Sequence, residues 1–189
     1  SSVYPVDREG GTSYLKKNYE VVAGSYPKHD GDVILIVDRD NSTNINALKN
    51  LGFDVKDGQK VKFNQIVGTK IKAISNNAYY QNVAGNVYVP MKDYANAYKQ
   101  NDNRELTVAG VLRTRSKTSD GLLSQGFAYS DRLTKDLVAL NKDSDVVKAQ
   151  RASDVNIFTN QSVDKATKDQ LITALGGSET PTQITIYPT

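Results

Sequence analysis

Asp32-Val-Ile-Leu-Ile-Val-Asp38 is a short apolar run held between charged ends, with Pro27 and Gly31 just before it. It is too brief for a buried helix and largely β-branched, so it reads as a strand buried on both faces. Asp40-Asn-Ser-Thr-Asn44 follows as a turn rich in helix-capping residues. Ile45, Leu48 and Leu51 then recur at three-residue spacing, and Gly52 stands where a left-handed glycine ends a helix. The unit reads strand, loop, helix, stop.

A similar unit is expected near the far end. Val155-Asn-Ile-Phe158 reads as a short strand and Ser162 as an N-cap, with Val163, Ala166, Leu171, Ala174 and Leu175 on one helix face. Gly176 and Gly177 stop that helix, and Ile184-Thr-Ile-Tyr187 alternates as a last strand. Two such units point to an α/β layer with an internal pseudo-repeat.

Between them the patterning changes. Val61 and Phe63 alternate with Lys60 and Lys62, and Val67, Thr69, Ile71 and Ala73 alternate with Gly68, Lys70 and Lys72. Period two with lysines outward predicts a half-buried antiparallel sheet. Asn86–Pro90 and Leu106–Leu112 add strands, Tyr94–Tyr98 a short helix, and Leu133, Leu137 and Leu140 a helix behind Asp131 as cap. The order predicts an α+β protein in two parts. Residues 1–57 and 119–189 form an α/β subdomain from both chain ends, and 58–118 form an inserted β-rich subdomain.

Composition narrows the function. The chain has 189 residues, 38% hydrophobic and 24% charged, enough apolar material for a core and too little low-complexity sequence for disorder. No apolar run approaches the roughly 18 residues that span a bilayer. The chain lacks an initial Met and a leader, which reads as an excised or processed piece. A net charge of +3 lacks the clustered bases of a nucleic-acid binder. Arg113, Arg115 and Lys117 make the densest basic stretch and read as a solvated strand end. With no cysteine there is no disulfide framework, thiolate metal site or cysteine nucleophile.

Few residues nominate chemistry. His29 is alone, in a turn containing Pro27 and Gly31, so neither a zinc site nor a Ser-His-Asp triad is expected. Asp38, Asp40, Ser42 and Asn44 have the spacing of the first ligands of a calcium loop. Thr43 stands where that loop needs Gly, and Lys49 where it needs Glu, so helix capping is the reading. Neither diglycine is a phosphate loop. Asn41-Ser-Thr43 and Asn160-Gln-Ser162 match glycosylation sequons. Tyr79, Tyr80 and Tyr88 form a candidate partner-contact surface, against the plainer reading that they pack on their own sheet. No catalytic residue, cofactor or metal is predicted.

The order of these motifs resembles the extracytoplasmic domain of Gram-positive ABC transporter permeases of the FtsX/MacB-like class. The resemblance rests on Tyr19-Glu-Val-Val-Ala-Gly-Ser-Tyr-Pro27, the run at 32–38, Leu51-Gly52, Leu106-Thr-Val-Ala-Gly-Val-Leu-Arg113, Gly126-Phe-Ala-Tyr129, Leu133-Thr134, Val147-Lys-Ala-Gln150 and Gln183-Ile-Thr-Ile-Tyr-Pro188. It spans roughly residues 19–188 and is carried by order and spacing. It implies a MacB periplasmic-core-like fold on the extracellular face of the cell membrane, as a loop between two transmembrane helices. It also implies a non-enzymatic role, transmitting ATP-driven movement from a cytoplasmic ATPase subunit to export a peptide, lipid or protein substrate or to act on an extracellular partner. A second copy of the permease is a further implied partner. A hinge is expected near Lys56–Gly58 and Thr118–Gly121, with Ser1 and Thr189 on the same side of the fold. The alternative is a secreted or surface-anchored adhesion module using the tyrosine-rich face.

Overall fold

The computed structural model describes residues 2–117, 123–178 and 186–188. In chain order the elements are β1 (Ser2–Tyr4), α1 (Ser13–Asn18), β2 (Tyr19–Gly24), β3 (Asp32–Val37), α2 (Ile45–Asn50), α3 (Phe63–Ile66) and β4 (Lys70–Ala73). Then follow α4 (Asn76–Tyr79), β5 (Tyr80–Ala84), β6 (Val87–Pro90), α5 (Tyr94–Tyr98) and β7 (Arg104–Thr114). The chain ends with β8 (Gly126–Ser130), α6 (Asp131–Lys142), α7 (Asp145–Arg151), α8 (Lys165–Ala174) and β9 (Ile186–Pro188). The protein is α+β.

Two compact units form. A sheet unit takes Ser1–Lys72, Glu105–Thr134 and Ile186–Thr189, and a helical unit takes Ala73–Arg104 and Lys135–Thr185. The division therefore falls elsewhere than the patterning predicts. Leu106–Leu112, expected in the inserted part, belongs to β7, which lies parallel to β3 in the same sheet. The helices after residue 134, expected with the chain ends, belong with the β5–β6 hairpin. Periodicity reveals that a segment is a strand but not which strand it pairs with.

The sheet unit is built on a seven-stranded mixed sheet, in the order β1-β8-β3-β7-β4-β9 with β2 also paired to β7. All six residues of β3 are buried. Ile34 and Ile36 join a core with Tyr4, Leu15, Tyr19, Leu112 and Ala128. Leu35 and Val37 point to the opposite face, as strand alternation requires. The sheet is closest-packed where Gly24 pairs with Gly110. A Cβ on Gly110 would lie 2.3 Å from the Ser25 carbonyl oxygen, so no larger residue fits without moving backbone. β1 and β9 both lie in this sheet, at opposite ends of its strand order, while Ser1 and Thr189, expected on the same side of the fold, lie outside the described residues.

The helical unit has a smaller core of Val146, Val147, Ile157 and Leu175, on which Tyr80, Tyr88 and Phe158 pack. Its loops are held by amide side chains. Asn76 donates through Nδ2 to the Ser144 hydroxyl at 3.1 Å and the Leu175 carbonyl at 2.7 Å, while Asn141 Oδ1 accepts from its backbone N–H at 2.9 Å. Gln150, fully buried, donates to the Val155 carbonyl and accepts from the Ile157 N–H.

Those bonds explain one correction. Val155–Phe158 is not a strand and pairs only through a single bridge from Val155 to Ser162. Gln150 occupies the backbone groups a neighbouring strand would need, and Asn156 Oδ1 caps a turn at the Phe158 and Thr159 N–H groups. The pseudo-repeat goes with it. Asp164, not Ser162, is the N-cap of α8, accepting from the Thr167 N–H at 2.7 Å, and this bond holds its carboxyl below the usual range. Of the expected face Leu175 is buried in the core, whereas Ala166 and Ala174 are exposed and Ile172 packs beside Leu175. At the start of α6, Ser130 Oγ accepts from the Leu133 N–H at 3.0 Å, so Ser130 is the cap and Asp131 stands in the first turn. Lys60–Lys62 forms no strand. Val61 and Phe63 are half-buried and the lysines exposed, but residues 60–62 carry no ladder and Phe63 opens α3.

Candidate functional site

One concavity lies wholly within the sheet unit. It is a cleft of about 500 Å³, within the range of small-molecule sites. Leu35 and Val37 of β3 form its floor, Ile45 and Leu48 of α2 one wall, and Val55–Val61, Phe63 and Ile66 the other. Local sequence explains each wall. Asn44 Oδ1 accepts from the Asn46 N–H at 2.8 Å and starts α2 so that Ile45 and Leu48, three apart, share a face. Opposite, the Lys56 N–H donates to Gln59 Oε1 at 2.7 Å and the Gln59 N–H returns to the Lys56 carbonyl. That turn carries Lys56, Asp57 and Lys60 to the rim. Asp40 approaches from the β3–α2 loop.

The loop beneath Asp40 is fixed from within. Asp38 Oδ1 accepts from the Asp40 and Ser42 N–H groups at 2.9 and 2.8 Å, and Thr43 Oγ1 donates to the Ile36 carbonyl at 2.8 Å. Asp38, Asp40, Ser42 and Asn44 thus serve turn and cap rather than converging on a cation. Among the described residues no three His, Asp or Glu side chains are grouped to hold a metal.

The other candidates are placed as follows. Arg113 Nε lies 2.9 Å from Glu20 Oε1 and its guanidinium also donates to Asn41 Oδ1, while Arg115 donates to the Lys16 carbonyl. These arginines tie strand ends together and leave no open cationic cradle. His29 is exposed, and its backbone N–H and that of Lys28 both donate to Asp32 Oδ2.

No family model, curated protein or solved structure matches the chain.

The tyrosine surface lies in the helical unit. Tyr79 and Tyr80 meet edge to face at 4.9 Å, and Tyr80 sits 5.3 Å from Phe158. Tyr80 and Tyr88 pack on the Val146–Leu175 core and all three tyrosines are half-buried. The exposed apolar side chain of the hairpin is Val83. Lys56–Gly58, expected as a hinge, is a rim loop inside the sheet unit, and Thr118–Gly121 lies outside the described residues.

A second, smaller concavity of about 40 Å³ is lined by Tyr4, Thr12, His29, Asp32, Ser130 and Arg132 among others. The Tyr4 hydroxyl is buried with no hydrogen-bond partner among the described residues. Burial, then the nearby charges of Asp32 and Asp131, push its pKa well above the usual tyrosine value. Sequence reading missed both concavities. The alternation at 60–63 was the available signal for the larger one, because unpaired period-two patterning beside a buried strand leaves an apolar wall to be covered.

Proposed function

We propose that the chain is the non-enzymatic extracellular domain of an ABC transporter permease of the FtsX/MacB-like class, with a MacB periplasmic-core-like fold. In this reading it transmits movement powered by a cytoplasmic ATPase subunit, alone or beside a second permease copy, to a substrate or extracellular partner. One observation carries it: the first and last strands share one sheet while a second compact unit is inserted between passages of the first. A module tethered at both ends and moved by its tethers needs that nesting, since force enters one unit and the other is free to respond. The edge positions of β1 and β9 separate the tethers by five strand spacings, about 24 Å at ~4.8 Å each. The adhesion alternative draws less support, because Tyr80 and Tyr88 turn toward their own core.

The test uses the absence of cysteine. Asp102 is exposed, so Asp102→Cys introduced into the native gene product adds a reporter thiol, scored against the unsubstituted protein. Labelling of intact cells by a membrane-impermeant maleimide, with the protein in the membrane fraction, is the expected result. A thiol reached only after lysis, or a protein released to the medium, overturns the reading.

A further inference from the structure

We propose that the cleft of the sheet unit binds a short apolar peptide through both of its charged termini. This goes beyond the transporter reading and does not rest on it. Its apolar lining combines the buried Leu35 and Val37 with Ile45, Leu48, Val61 and Phe63. Four of these, Ile45, Leu48, Val61 and Phe63, are only half-buried, so a ligand that covers them removes further apolar surface from water.

The rim decides the ligand class. It carries two ammonium groups, Lys56 and Lys60, and two carboxylates, Asp40 and Asp57. Among the described residues none of these four side chains takes part in an ion pair or hydrogen bond. Charges of both signs, balanced and unengaged around an apolar floor, suit a ligand with an apolar body and one charge of each sign. A zwitterionic peptide of small size has that composition. A fatty acid supplies only the negative end and leaves the two aspartates unmatched. A nucleotide brings several negative charges against a rim of zero net charge, and like-charge juxtaposition disfavours it.

The experiment is a chemical-shift titration of the ¹⁵N-labelled chain with Leu-Leu-Leu, with its N-acetylated amide and with dodecanoate. Expected are saturable shifts with Leu-Leu-Leu at the amides of residues 45–48 and 55–63. Blocking both termini weakens binding by tenfold or more, as loss of charge-assisted hydrogen bonds requires. The variants Lys56→Gln/Lys60→Gln and Asp40→Asn/Asp57→Asn, all at exposed positions, each weaken the zwitterion several-fold with an unchanged melting temperature. Three results overturn the proposal: no saturable shift with Leu-Leu-Leu, equal affinity for the blocked peptide, or dodecanoate binding in the cleft in its place. Comparison of the peptides needs no substitution, so the outcome does not depend on any variant folding.

Discussion

In the sheet unit the backbone of β7 is bonded to β2, β3 and β4, whereas in the helical unit the Val155 carbonyl and the Ile157 N–H, in the turn between α7 and α8, are bonded to one glutamine side chain. Both arrangements satisfy buried N–H and C=O groups, but with different parts. A ladder needs main chains that approach closely, so its sensitive positions are those where a side chain would intrude. Where an amide side chain takes such groups instead, the sensitive position is the amide itself. The two units therefore differ in where they break.

The largest effect is expected at the closest approach of the sheet. In Gly110→Ala the new methyl meets the Ser25 oxygen at 2.3 Å and the Ala23 oxygen at 3.1 Å, and overpacking against backbone costs about 3 kcal/mol or more. Urea unfolding measures it, and a loss under about 1 kcal/mol would show that β2 and β7 part without penalty.

Gln150→Ala probes the other unit. It strips the Ile157 N–H and the Val155 carbonyl of their partner, at a cost of about 2–3 kcal/mol for buried groups left unpaired. Hydrogen exchange sharpens the comparison: amides at 153–162 lose protection while those of β3 and β7 keep theirs. Equal loss in β3 and β7 would mean that the two units open as one cooperative body.

The third expected effect is specific to the sheet unit and depends on pH. Burial raises the pKa of Tyr4, Tyr19 and Tyr129, with the Leu123 N–H donated to Tyr19 acting in the opposite sense. The folded state thus keeps protons that the unfolded chain releases. That stabilisation is complete below about pH 10 and is lost as pH rises from there toward the folded values, by up to about 1.4 kcal/mol per pH unit each for Tyr4 and Tyr129. Tyr4→Phe removes one tyrosine from the alkaline slope. At pH 7 it deletes a hydroxyl without a protein partner, so stability changes by no more than about 1 kcal/mol and in the favourable direction. A loss larger than that at pH 7 would show that the hydroxyl is satisfied.

Legibility divides along the same line. The strand at 32–37, the helix from Ile45 to its stop at Gly52, the short helix at 94–98 and the strands at 87–90 and 104–114 follow from local pattern. Each is fixed by residues within a few positions. The turn at 155–159 was not legible, because Gln150 determines it from the preceding helix and its bonding partners carry no periodic signal. The division into units failed for a related reason, since an apolar strand such as 106–112 fits any sheet until its partner is known. The cleft was half visible: Val61 and Phe63 stood out by alternation, but their opposition to Ile45 and Leu48 arises only in the fold.

The nesting of the units also sets an order of events in synthesis. β1 pairs with β8 across well over half the chain, Ser2 against Ala128. Asn76 reaches the Leu175 carbonyl 99 positions away. Neither unit is complete when the first half of these 189 residues has been made, and the pairing of β1 waits for β8 to emerge. Long-range closures of this kind slow folding. Until β7 and β8 arrive, the apolar edges of β3 have no native partners, and during that interval the nascent protein is most exposed to aggregation.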